Sequence, residues 1–492
     1  MKKYHIVITL LMLSMMSLTA IAQTNLSPLG CRRGTPRQQS IHPTRGGNKD
    51  RIPGGDYYHG ERHQLAILVA FNDRTFAGDK EATLEQWDKI FNTKDFAEEP
   101  YVGSVHDYFM AQSYGRFNVV FDLLYIQVSG NAEKYASTEE DDENSQYLVE
   151  DVVDTLRTLD IDWSKYDWNG DGNVNQLLIV YAGKGMNDSS DPDLIWPHQW
   201  WMSEHLKDRE EDVYCEALTV SSGGKDYLVD CYCALSEMRK NGSLSSFGII
   251  CHEYTHCFGF PDFYGYSNKN AADTWDLMDY GNYNGNGFRP ACYSAHERWL
   301  MGWLTPIELN STTSISNMPA LADEGVAYLI RNDGCENEYY IVENRQKTGW
   351  DASIPGNGVI IYHIDYDPSI WTSTTTATNS SKRMRYEIFK ANNLNYSSRG
   401  WAYPYEDNDS LTNTSTPAAT LNNINIDGTK LMSKPITNIS VTGGLASFDF
   451  STTPTPTGIN EATTRHDKLL YRFCMIDIIR DTKGNIRKVI RK

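Results

Sequence analysis

Cys251-His252-Glu253-Tyr254-Thr255-His256-Cys257-Phe258-Gly259-Phe260-Pro261-Asp262 decides the reading of this 492-residue chain. On a helix, His252 and His256 lie four residues apart, on one face and one turn from each other. Two imidazoles so placed can bind one metal ion from the same side. Glu253 follows the first histidine and can reach a water held by that metal. Gly259 tolerates the left-handed conformation that ends a helix, and Pro261 stops the helix from resuming. The chain must then turn back, which can bring the carboxylate of Asp262 to the metal as a third ligand. Three protein ligands with one open position is the layout of a catalytic zinc rather than a structural one. A surface helix with two histidines and a glutamate is the plain alternative, and Gly259 and Asp262 argue against it.

A second element lies downstream, in Trp275-Asp276-Leu277-Met278-Asp279-Tyr280-Gly281. Met278 follows Asp262 at a distance that suits a turn passing beneath the metal. Alone it would read as an ordinary core methionine. Tyr280 can point its hydroxyl at the metal and bind the oxyanion that forms in peptide hydrolysis.

The rest of the chain sets the context. Its length allows two or three domains. Apolar residues make up 40% and aromatic residues 12%, which fits a folded protein, and 30 tyrosines with 12 tryptophans suggest much β structure. With 64 acidic against 45 basic residues the net charge is -19, which argues against nucleic acid as a partner. Residues 1–22 read as a signal peptide: Lys2 and Lys3, a mostly apolar run over 6–21, and Ala20-Ile21-Ala22 as the cleavage pattern. No second apolar run follows, so no integral membrane segment is expected once the signal is removed. Export permits disulfides among the nine cysteines, but their pairing cannot be read from spacing. Cys251 and Cys257 point to nearly opposite faces of the metal helix and should not pair with each other.

Residues 23–60 are poor in apolar positions and read as a pro-segment or disordered stretch. Cys31 could block a zinc as a thiolate, although an ordinary linker cysteine is the simpler reading. Residues 61–305 form the predicted catalytic domain. Buried strands are expected at 64–71 and 175–181, another strand at 119–128, and helices at 84–91, 105–112, 146–159 and 291–299. The metal helix should begin at Ser245 or Ser246. Leu194-Ile-Trp-Pro-His-Gln-Trp200 reads as an aromatic-rich loop able to line a cleft, in which His198 is either functional or a hydrogen-bonded structural histidine. Residues 306–450 change texture to short runs separated by Gly, Asn, Ser and Thr, and read as an all-β sandwich in which His363 and Asp365 are structural. Residues 451–492 read as a linker and a sorting tail that could attach the protein to a cell surface. The fold class is therefore an α+β catalytic domain, a mixed sheet with an active-site helix, followed by an all-β sandwich domain.

Asp167, Asn169, Asp171, Asn173 and Asn175 alternate around Gly172 like the first half of a calcium loop. The pattern wants Glu at its twelfth position, where this chain has Leu178. Calcium would need another carboxylate, such as Asp160 or Asp162. The competing reading is a polar turn.

These stretches together resemble the immune inhibitor A-like family of secreted bacterial metallopeptidases, which belong to the metzincins. The likeness rests on Leu68 to Asp73, Ser113-Tyr-Gly115, Asp167 to Asn175, Ile195 to His198, His252 to Tyr264, Trp275 to Met278, Gly302-Trp-Leu304, Glu343-Asn-Arg345 and Gly358 to Asp365. The resemblance implies a metzincin-like zinc endopeptidase with His252, His256 and Asp262 as zinc ligands and Glu253 as general base. It also implies calcium and a β-rich domain after the catalytic one. Residues 457–461 look like the start of a type 9 secretion tail. The expected function is hydrolysis of peptide bonds in extracellular proteins. Its rivals are a surface-binding protein with a vestigial metal site and an amidase acting on cell-wall peptide.

Overall fold

Gln64-Leu-Ala-Ile-Leu-Val-Ala-Phe71 has no polar face, so a strand made from it must be covered on both sides. The computed structural model describes residues 32–33, 56–136, 144–189, 191, 193–208, 213–371 and 377–452, with the strand residues 468–473, 476–480 and 486–490. In it, strand β1 (Gly60–Ala70) lies inside a six-stranded sheet. Ala66, Leu68 and Ala70 face one apolar cluster, and Leu65, Ile67 and Val69 face a second.

On either side of β1 run β2 (Phe117–Gln127) and β3 (Leu177–Lys184), both parallel to it. Beyond β3 comes β5 (Cys231–Met238), again parallel, and then β4 (His198–Trp201), which is antiparallel to β5. The sheet is thus mixed. The aromatic stretch expected as a loop ends in strand β4, because Cys231 to Ala234 offer it a complete ladder. Arg32–Arg33, in the expected pro-segment, pairs in parallel with His198 and Gln199 on the outer side of β4.

Helices α1 (Lys80–Asn92) and α2 (Val105–Gln112) pack on the first face, with Trp87, Phe91, Tyr108 and Phe109 in its core. Helix α3 (Ser145–Leu156) covers the second face through Leu148, Val149, Val152 and Val153. Each large apolar side chain so buried contributes roughly 1.5–3 kcal/mol.

Residues 306–450 are rich in strands. Strands β6 (Ala327–Asn332), β7 (Cys335–Arg345), β8 (Gly358–Asp365) and β9 (Tyr386–Ile388) form an antiparallel sheet, with Ile307–Glu308 on its edge. A three-stranded sheet of Thr313–Met318, Ile436–Thr442 and Leu445–Phe450 shares an apolar cluster with one face of it, through Met318, Ile330, Val342, Ile361, Ile436 and Phe448. The opposite face carries Leu329, Tyr339, Ile341, Ile360 and Tyr362. These belong to the same cluster as Tyr254, Trp275, Leu277 and Met278 of the predicted catalytic domain. The apolar core therefore runs without a break across residue 305. In the tail, Lys468–Phe473, Ile476–Arg480 and Ile486–Ile490 form a small antiparallel sheet.

Candidate metal centre and active site

The motif helix, α4 (Phe247–Cys257), is buried along its whole length. It packs on the sheet beside β4 and β5, and reaches Tyr280–Gly287 on its other side. There Gly248 meets the carbonyl oxygen of Asn282 so closely that a Cβ would fall 2.0 Å from it. Ser246 is the residue before the helix, as expected, but its side chain caps no backbone amide. The exit follows the sequence reading. The Gly259 amide bonds the carbonyl of His256 at 2.8 Å, with Gly259 at φ 97°, and residues 260–265 have no regular structure.

That exit returns Asp262 to the helix. Its Oδ1 lies 3.2 Å from His252 Nε2 and 3.4 Å from His256 Nε2. Among the described residues, these three are the one group of His, Cys, Asp and Glu able to hold a metal ion, with ligand atoms within 4.8 Å of one another. The other imidazole nitrogens are engaged: His252 Nδ1 is 2.8 Å from the carbonyl of Leu277, and His256 Nδ1 is 2.8 Å from that of Phe260. A carbonyl only accepts, so each Nδ1 carries a proton, and Nε2 is the atom of each ring left to face Asp262 and to give a lone pair to a metal once it sheds any proton of its own. This is the tautomer that a metal ligand needs, so the three residues fit a zinc. Both histidines are fully buried, whereas the Asp262 side chain is 24% exposed, so the centre opens to solvent on the Asp262 side.

In the metal-free chain the charges are interlocked. Burial works to lower the basicity of His252, but Asp262 and Glu253 outweigh it and raise its pKa. Burial works to raise the pKa of Asp262, but His256 and His252 outweigh it and hold the carboxyl at about 2. Glu253 is also fully buried, one residue along the helix from His252.

Trp275, Leu277 and Met278, in the stretch expected to turn beneath the metal, are buried. The amide of Phe263 bonds the carbonyl of Met278 at 2.8 Å, which joins the third-ligand turn to it. Asp276 Oδ1 accepts from the Met278 amide at 2.8 Å. Asp279 Oδ2 accepts from the amides of Ala272 and Asp273, and burial pushes this carboxyl well above the usual range. Tyr280 opens the stretch after the turn. Its ring centroid is 5.1 Å from that of Tyr264, which is itself 6.3 Å from that of His252. Tyr264 is therefore a phenol beside the first ligand, a residue without a role in the sequence reading. Its place two residues after Asp262 was the available signal.

The suggested calcium stretch forms a loop whose polar groups bond one another. Asp167 receives the amides of Asp171 and Gly172, Asp171 receives that of Asn173, and Asn175 receives that of Trp168. The ammonium of Lys225 lies 3.3 Å from Asp167 Oδ2, on the carboxylate that a cation would use. Asp162 caps a short helical turn by accepting from Ser164. His198 is held by the carbonyl of Trp196 and the hydroxyl of Tyr232, and His363 by Glu338, which are structural roles. Cys251 and Cys257 are both free thiols, whereas Cys335 is disulfide-bonded.

Residues 61–302 match the family described as immune inhibitor A peptidase M6, catalytic domain. The chain is similar to immune inhibitor A of Bacillus thuringiensis subsp. alesti, with 24% identity over 318 residues, 54% of this chain and 44% of that protein. It is also similar to the pre-pro-metalloprotease PrtV of Vibrio cholerae serotype O1 (strain M66-2), with 22% identity over 274 residues, 47% of this chain and 28% of that protein. The chain thus spans less than half the length of these curated relatives.

Proposed function

Because the chain belongs, through residues 61–302, to the immune inhibitor A family of metallopeptidases, we propose that it is a secreted zinc endopeptidase acting on extracellular proteins. One observation carries this reading. The Nε2 atoms of His252 and His256 converge on Asp262 Oδ1, while backbone carbonyls occupy both Nδ1 atoms. A zinc bound there would supply a Lewis acid and a water acidified toward neutrality. Glu253 accepts the proton of the attacking water and returns it to the leaving amine. Tyr280 donates its phenol to the oxyanion; its ring packs on Tyr264, which in turn lies beside His252.

Secretion rests on the signal-like residues 1–22, which lie outside the described residues, as do Cys31 and the linker at 453–467. Among the described residues no helix is long and apolar enough to cross a membrane. Other parts of the proposal are the metzincin-like character of the mixed sheet, a β-sandwich over 306–450, surface attachment through the tail, and calcium at 167–175. The functional test is hydrolysis of casein and of purified peptidoglycan, before and after chelation and after zinc is restored. Zinc-dependent casein cleavage is expected. Cleavage of peptidoglycan alone would favour the amidase. Loss of both activities, with adhesion retained, would favour the binding protein.

A further inference from the structure

The turn that bears Asp262 is gripped by a segment far beyond residue 302, where the family match ends. Asn379, 3% exposed, makes most of that grip. Its Nδ2 lies 3.2 Å from the carbonyl of Phe263, 3.1 Å from that of Tyr264 and 2.9 Å from that of Tyr386. Its Oδ1 accepts from the amides of Arg385 at 2.8 Å and Tyr386 at 3.0 Å. One carboxamide thus ties β9 to the two residues that follow Asp262.

Tyr386 adds a second hold. Its ring stacks on Phe263 with centroids 3.8 Å apart and planes 13° from parallel. Its hydroxyl donates to Asp276 Oδ2 at 2.6 Å, and the other oxygen of that carboxylate takes the Met278 amide. Ile388 closes the contact by donating its amide to the carbonyl of Ala271 at 3.1 Å. The three ligands are therefore supported differently. His252 and His256 project from a buried helix, each with its own carbonyl partner. Asp262 sits on irregular backbone, so its direction depends on whatever fixes residues 263 and 264.

We infer that Asn379 and Tyr386 are positioning residues for the third ligand, so that the downstream β segment is part of the metal site; this rests on reading His252, His256 and Asp262 as metal ligands. Groups that orient ligands typically change metal affinity by 10–100-fold when removed. Asn379→Asp keeps the shape but turns a carboxylate toward three carbonyls. Tyr386→Phe keeps the stack and removes only the hydroxyl.

The test is a cobalt(II) titration of the full chain, following the visible ligand-field bands, with thermal melting in parallel. Wild type should take one cobalt per chain, and His256→Ala should abolish it. Asn379→Asp should bind cobalt about 10–100-fold more weakly, with shifted bands, and Tyr386→Phe about 10-fold more weakly with bands shifted the same way. A role in stability alone would lower the melting temperature and leave the bands of the folded protein unchanged. Wild-type affinity and bands in both variants would overturn the inference while the metal site stands. No cobalt on wild type would overturn the metal site itself, and the inference with it. If Asn379→Asp does not fold, Tyr386→Phe decides by the same criterion.

Discussion

Arg345→Met tests the connection between the two regions most sharply. Arg345 is 1% exposed, between Asp351 at 1% and Glu343 at 0%. Its Nε and Nη2 bond Asp351 at 2.7 Å each, its Nη1 bonds Glu343 at 3.0 Å, and Nη2 also reaches the carbonyl of Cys292 at 3.2 Å. The two carboxylates in turn hold the start of helix α5 (Ala295–Leu300): Glu343 accepts the Ala295 amide and Asp351 that of Cys292. Methionine fills much of the volume but leaves two buried carboxylates without their cation. Breaking a buried ion pair from one side costs about 3–5 kcal/mol. At roughly 1 °C per kcal/mol for a chain of this size, the melting temperature should fall by about 3–5 °C at neutral pH.

The pH dependence supplies the control. Burial already raises the carboxyl of Glu343 despite Arg345, and removing the cation raises it further. The folded variant then holds more protons than its unfolded chain above the ordinary carboxylate range, so its stability rises as pH falls toward that range. Melting followed by near-ultraviolet circular dichroism at pH 7.5 and 5.5 should show a deficit that shrinks on acidification. A variant that melts with wild type at pH 7.5, or whose deficit grows at pH 5.5, would refute the reasoning.

Other expectations are briefer. Tyr280→Phe should lower kcat about 10²-fold with little change in KM; unchanged kcat there, with the loss appearing in Tyr264→Phe, would move the oxyanion role to Tyr264. Burial works to lower the pKa of His363, but the hydrogen bond to Glu338 and the nearby carboxylate of Glu387 outweigh it and lift it to about 9. The stability from this pair is fully present below pH 6.5 and lost as pH rises through 9, so His363→Gln should flatten the melting curve against pH in that window. The calcium proposal predicts a higher melting temperature in millimolar calcium, by about 2.7 kcal/mol of added stability at a hundredfold excess over Kd. Asp167→Ala should erase that gain, and no shift in wild type would return residues 167–175 to a polar turn.

What was legible in the sequence is local. The exit of α4 follows from Gly259 and Pro261, and the approach of Asp262 to His252 and His256 follows from that exit. The burial of β1 follows from its unbroken apolar run. Helix α5 starts later than expected, at Ala295, because Ser294 and Glu297 form a capping box, a signal present in the sequence and not used. Strand β4 was hidden because four aromatic-rich residues behind Pro197 show no alternation. The grip of Asn379 on Phe263 and Tyr264 had no local signal at all, since its partners lie more than 100 positions away.

The measurement that bears most directly on the account is zinc content with casein hydrolysis, for wild type and Glu253→Ala. The account predicts one zinc per chain in both proteins, with activity in wild type alone. Full activity in Glu253→Ala, or wild type without zinc, would contradict it.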